Sequence, residues 1–131
     1  MNMSKLAGTG ASVPALAVHE GLRGRAVHSV RVADVKERLI AANGGYEIVH
    51  ESPGLELGVY VLVAPEPDRR QTNDGDDVYV VLEGTGVLEV EGEPVPIAEG
   101  AAVYVEAGAE RRFTVYEQLS VLVICDRRED G

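Results

Sequence analysis

Residues 77–106, DVYVVLEGTGVLEVEGEPVPIAEGAAVYVE, constrain the fold more than any other stretch. Val78–Leu82 is a β-branched and apolar run, the pattern of a strand buried on both faces. Glu83-Gly84-Thr85-Gly86 interrupts the run and Val87–Val90 resumes it. Glu91-Gly92 is a short reversal of the kind in which glycine supplies φ > 0. Val95-Pro96-Ile97 follows, then a turn at Glu99-Gly100, then Ala102–Val105. Short strands punctuated by glycine at this pace predict an all-β sandwich or barrel.

The rest of the chain agrees. Its 131 residues suffice for one domain with a real core, and its apolar share of 45% is ordinary for a globular protein. Residues 1–20 are rich in Ala, Gly and Ser and read as an N-terminal arm whose Val13, Leu16 and Val18 could dock on a neighbour. Residues 21–131 read as the barrel domain. AVHSVRV (26–32) has the look of a strand. A short helix follows, with Asp34 as N-cap and Glu37 completing a capping box. Asn43-Gly44-Gly45 stops it. From Tyr46 onward the pattern is strands: Tyr46–His50, Leu55–Ala64, the central stretch, one near Arg111–Tyr116 and a last one at Leu119–Cys125. Pro65–Arg70 is a polar, proline-bearing connector.

Composition removes several function classes. The net charge of −10 disfavours nucleic acid, which needs a basic face. No stretch approaches the length of an apolar membrane span, and the first residues lack the continuous apolar core of a secretory signal, so a cytoplasmic location is expected. The single cysteine, Cys125, has no internal disulfide partner, and its apolar neighbours make it a small core residue. His19, His28 and His50 are dispersed and show no metal-ligand spacing. Phosphate-binding glycine loops, Gly-x-Ser-x-Gly elbows and Cys-x-x-Cys pairs are absent.

From Gln71 to Val115 the sequence resembles the two-motif signature of the cupins, small β-barrels of the jelly-roll type. Their first motif carries a His-x-His pair, a Glu and a Gly. Here Gln71, Asn73, Asp77 and Gly84 stand at those positions. The second motif opens with a Gly, matched by Gly100, and continues with Pro-x-Gly, here Glu106-Ala107-Gly108, and a His, here Arg111. Phe113 fits the family's aromatic on that strand. The resemblance implies a cupin-type jelly-roll β-barrel with one short helix before it, and a homodimer.

It also implies a site. Cupins that hold a metal do so through three His and one Glu. This chain keeps only a shorter carboxylate, Asp77. The amide oxygens of Gln71 and Asn73 are weak ligands for such metals, and a guanidinium is a donor and never a ligand. Arg111 and Asp77 are therefore expected to aim at one centre, with Arg111 in the space of a metal and Gln71 and Asn73 completing the hydrogen bonds. Strand alternation adds Tyr79 and Val81 to the face of Asp77, and Phe113 and Val115 to that of Arg111. The expected ligand-binding set is Gln71, Asn73, Asp77, Tyr79, Arg111 and Phe113, taking a small polar or anionic molecule with no cofactor. Two other readings stand beside it. One is a metal-dependent cupin enzyme of dioxygenase or isomerase type, holding a divalent transition metal through Asp77 and residues outside the motif, His28 and His50 first. The other is a non-catalytic structural or regulatory dimer.

Overall fold

The computed structural model describes residues 26–69 and 74–127. The chain divides into a segment Met1–Val30 and a unit Arg31–Gly131. The arm expected over residues 1–20 lies outside the described residues. The strand expected over 26–32 does not form: residues 26–31 carry no regular structure and Val32 already opens the helix. β-propensity is a context-dependent preference, and here the helix takes the last residue of the run.

Helix α1 (Val32–Ala41) is capped at Arg31, without a side-chain cap, and not at Asp34. Asp34 instead lies in the first turn, where a carboxylate favours the helix dipole, and it accepts from Arg31 Nε at 3.0 Å. The expected stop holds: Asn43 adopts φ 68° and its N–H closes on Ile40 O at 2.9 Å.

Eight strands follow: β1 (Gly45–Ser52), β2 (Leu55–Val63), β3 (Asp77–Glu83), β4 (Thr85–Val90), β5 (Glu93–Ala98), β6 (Ala102–Val105), β7 (Arg111–Thr114) and β8 (Gln118–Asp126). They form a five-stranded sheet in the order β1-β2-β8-β3-β6 and a three-stranded sheet in the order β5-β4-β7. Every pairing is antiparallel. Among the described residues, the architecture is the expected all-β jelly roll with one short helix in front. Among the described residues, no helix is long and apolar enough to cross a membrane.

The principal core cluster takes Tyr60 and Leu62 from β2, Tyr79 and Val81 from β3, and Leu119, Val121, Val123 and Cys125 from β8. Leu88, Ile97 and Phe113 come from the smaller sheet. These positions alternate along each strand, as a sheet with one face on the core requires. The opposite face of β2, bearing Val59 and Val61, is buried as well, and α1 packs against β2 and contributes buried Val35. That cover explains one difference from expectation. Val78–Leu82 is not equally buried on both faces: Tyr79 and Val81 are buried, while Val78, Val80 and Leu82 are only half-buried. The helix lies over β2, and β3 is two places away in the sheet.

β3 becomes β4 across a single residue, Gly84, where the chain leaves one sheet for the other. Gly84 has φ 95°, and a Cβ there would lie 2.3 Å from the backbone oxygen of Gln118. Gly92, in the hairpin between β4 and β5, also has positive φ (83°), but a Cβ there would meet nothing within 4 Å. The two sites separate backbone strain from steric clash. Gly92→Ala is expected to cost about 1–2 kcal/mol, the left-handed penalty alone. Gly84→Ala carries a backbone collision in addition and is expected to cost clearly more, with urea unfolding of the two variants as the measurement. Equal losses would mean that the corner does not depend on the approach of Gln118.

Candidate functional site

Asp77 opens β3 opposite Cys125 of β8 and Val105 of β6, so its carboxylate points into the core. Arg111 opens β7, on the other sheet. Both side chains are withdrawn from solvent, at 0% and 3% exposure for Asp77 and Arg111. Their charged ends meet through Arg111 Nη1 and Asp77 Oδ2. The pair expected from sequence therefore exists, and it spans the two sheets.

Its other described bonds involve residues beyond the expected Gln71 and Asn73. Gln71 and Asn73 lie outside the described residues. Among the described residues, Tyr79 is a further donor to Asp77, its hydroxyl donating to the same Oδ2 at 2.8 Å. Arg111 Nη1 also approaches the Tyr79 oxygen at 3.3 Å. The rest of the guanidinium closes on the turn before β7: Nε donates to Ala109 O at 2.7 Å and Nη2 to Glu106 O at 3.0 Å. Asp76 grips the same turn from the other side, accepting the Ala107 N–H at 2.9 Å. Neighbouring aspartates thus do two jobs, one holding the turn's backbone and one holding the arginine that caps it.

The aromatic part of the site is a row of edge-on rings. Tyr79 and Phe113 stand 5.1 Å apart, Phe113 and Tyr60 6.4 Å, and Tyr60 and Tyr46 5.7 Å. Edge-to-face contact is the favoured geometry for such rings. Burial above all, and then the charge of Asp77, hold the Tyr79 phenol protonated well beyond the ordinary tyrosine range, against the opposing effect of Arg111. Val115 does not join Arg111 and Phe113 on this face. It turns out at φ 55° and is 75% exposed, because β7 ends at Thr114 and strand alternation ends with it.

A metal bound in this place would sit against a guanidinium, and Asp77 Oδ2 already accepts two donors. Among the described residues, no three His, Cys, Asp or Glu side chains gather in a metal-binding group. His28 is exposed, in the N-terminal segment. His50 follows a register shift in β1 and pairs with Leu57, so it shares the face of Leu57 and Ile124, opposite that of Tyr60. The described donors around Asp77 and Arg111 thus do not fit a transition metal.

Two features escaped sequence reasoning. Asp68, in the connector after β2, is 5% exposed and binds Tyr60 and the backbone of Phe113. Its local sequence, two prolines among charged residues, signals only a loop. The second is a cleft of about 230 Å³ lined by Glu89, Glu91, Gly92, Glu110, Arg111 and Arg112. Its glutamates make it a poor receptor for an anion.

Two outcomes follow from this geometry. Arg111→Ala strands a buried carboxylate and uncaps a turn, and is expected to cost about 3–5 kcal/mol in urea unfolding. A loss below about 1 kcal/mol, the value of an exposed pair, would mean that the link does not hold the sheets. The raised phenol of Tyr79 gives the second. A group whose pKa is higher folded than unfolded contributes stability below its unfolded value and loses it above. Stability should therefore fall as pH rises past about 10, the ordinary tyrosine value. Tyr79→Phe should flatten that fall, although it loses about 1–3 kcal/mol at neutral pH by removing a donor to Asp77. An unchanged alkaline slope in Tyr79→Phe would refute the assignment.

The comparisons with known proteins place the architecture. A cupin-domain family model matches residues 59–125, which run from within β2 to within β8 and include Asp77 and Arg111. An uncharacterised protein of Streptomyces coelicolor, SCO3923, is 30% identical over 95 residues, which is 72% of this chain and 90% of that one. The crystal structure of TT1209 from Thermus thermophilus superimposes with a TM-score of 0.65 at 23% identity, over 78% of this chain and 100% of that one. Salicylate 1,2-dioxygenase from Pseudaminobacter salicylatoxidans superimposes with a TM-score of 0.63 at 15% identity, over 71% of this chain and 33% of that one. Likeness at these identities to solved structures carries the fold alone, but the family match covers the strands that build the site, and on that ground the chain belongs to the cupin family.

Proposed function

We propose that this cupin is a binding module that takes a small polar or anionic molecule in its barrel without a metal. One observation carries the reading. At positions where the family's metal-bearing members place a Glu and a His, this chain sets Asp77 and Arg111, and the two are bound to each other in the core. A cation entering there would have to displace a guanidinium, and the desolvated carboxylate is already matched in charge. Tyr79 and Phe113 supply an adjoining wall, apolar except for one hydroxyl. Small barrels of this kind have room for one small ligand, held by a few polar groups among apolar ones. Gln71 and Asn73 complete the proposed set from the first motif.

A second reading has its own support. Every nitrogen of the Arg111 guanidinium has a partner within the barrel. That pattern suits a network whose work is structural, in a partner protein whose interior takes no ligand. The dioxygenase likeness bears on the metal-enzyme alternative only as a likeness of fold.

The deciding experiment has two stages. Elemental analysis of tag-free protein purified without chelator is expected to find transition metal far below one per chain. A stoichiometric metal would overturn the proposal and move the protein to the enzyme class. A thermal-shift screen with small acids, sugars and polyols is then expected to yield molecules that raise Tm, less so in Asn73→Ala. A metal-free protein that no molecule stabilises would favour the structural reading.

A further inference from the structure

Asp68 is a loop residue with a core residue's burial. Its Oδ1 accepts the Tyr60 hydroxyl at 2.5 Å, and its Oδ2 accepts the Phe113 backbone N–H at 2.8 Å. The two donors belong to different sheets, Tyr60 to β2 and Phe113 to β7. β7 is an edge strand whose partner is β4, so the Phe113 N–H is a sheet-edge donor that Asp68 satisfies in place of another strand.

Neither donor owes its position to Asp68. The Tyr60 ring is set by the edges of Tyr46 and Phe113, and by its place opposite Val121 on the central strand β8. Phe113 is set by its pairing with Leu88 and by the Tyr79 ring. The result is a preorganised cradle: one hydroxyl and one amide N–H spaced for the two oxygens of a single carboxylate, beside aromatic rings. Hydrogen bonds to an ionised acceptor are roughly twice as strong as neutral ones.

The group that fills this cradle arrives on the connector. Its residues 64–67 and Arg69 are exposed, and its backbone is tied down at Ala64 N to Glu117 O (2.9 Å), at Glu66 N to Val63 O (3.1 Å) and by the Tyr116 hydroxyl on Glu66 O. The receptor is therefore built on strands, and its occupant on a loop.

We propose that the Tyr60 hydroxyl and the Phe113 N–H form a carboxylate-binding subsite that Asp68 occupies from within the chain, and that a small carboxylic acid binds by taking the place of Asp68. The inference rests on the reading of the barrel as a small-molecule site and adds the ligand's chemical class and an autoinhibitory contact. A tethered group competes at an effective concentration of order millimolar or above. A simple acid with no other contacts therefore fails to displace Asp68 in the parent protein. It can enter once Asp68 is removed.

The test is chemical rescue. Asp68→Ala is expected to melt several degrees below the parent. Formate or acetate should restore much of that loss relative to chloride at equal ionic strength, and leave the parent unmoved. Adding Tyr60→Phe should remove most of the rescue. If Asp68→Ala does not fold, Asp68→Asn serves in its place, since its amide keeps the shape but loses the charge. Acetate should then stabilise it relative to chloride. Equal effects of acetate and chloride on the variant overturn the subsite. If neutral polyols or sugars stabilise the parent while carboxylates fail on the variant, the subsite falls and the small-molecule reading stands. If carboxylates rescue the variant while no molecule, small acids included, stabilises the parent, the cradle stands as the seat of Asp68, and displacement by an outside acid is overturned together with that reading.

Discussion

The ion pair between Asp77 and Arg111 is the constraint on which the arrangement around it depends. It joins the first residue of β3 to the first residue of β7, and so ties the five-stranded sheet to the three-stranded one through the core. Burying two charges is costly, and mutual attraction compensates only when the leftover donors and acceptors are also matched. Here Tyr79 and the carbonyls of Glu106 and Ala109 provide the matches. Most of those partners come from a turn, so the pair and the turn specify each other. A loop that could take many shapes is held in the one that caps Arg111.

A second polar link crosses the same gap. Asp68 joins Tyr60 on one sheet to the backbone of Phe113 on the other, and Phe113 stands between Tyr60 and Tyr79 in the aromatic row. The site is therefore one continuous chain of contacts from Asp68 to Arg111. Its apolar members exclude water, which strengthens the charged ones. At two positions that the cupin signature assigns to metal ligands, this chain carries Asp77 and Arg111, paired with each other in the core. Arg111 supplies positive charge and several directed bonds at one place.

Much of the fold was legible in short-range pattern. Glycine marks the β3–β4 corner and the β4–β5 hairpin because those backbone angles tolerate little else, and alternation assigns Asp77, Tyr79 and Val81 to one face. Pattern failed where its period stopped applying. Val115 continues the alternation of β7 on paper, but the strand ends one residue earlier. The run at 26–32 has strand composition, yet its last residue begins a helix. Asp34 has the composition of an N-cap, yet the helix starts before it and uses it as a first-turn carboxylate.

The sequence by itself determined an all-β chain of glycine-spaced strands, the polar residues standing at the cupin ligand positions, and the opposition of Asp77 and Arg111. The first is a statement about period and turn chemistry, written within a few neighbouring residues; the other two rest on the resemblance to the cupins, whose two motifs hold Asp77 and Arg111 far apart in the chain. Only the tertiary structure decided that Tyr79 donates to Asp77, that Arg111 caps the turn at Glu106–Ala109, that His50 faces away from the core, and that a loop aspartate fills a cradle between the sheets. The last depends on which residue of one sheet stands across from which residue of the other, and the others on side-chain directions and a register shift that packing selects. That choice follows from the packing of the whole core, so no local stretch of sequence encodes it.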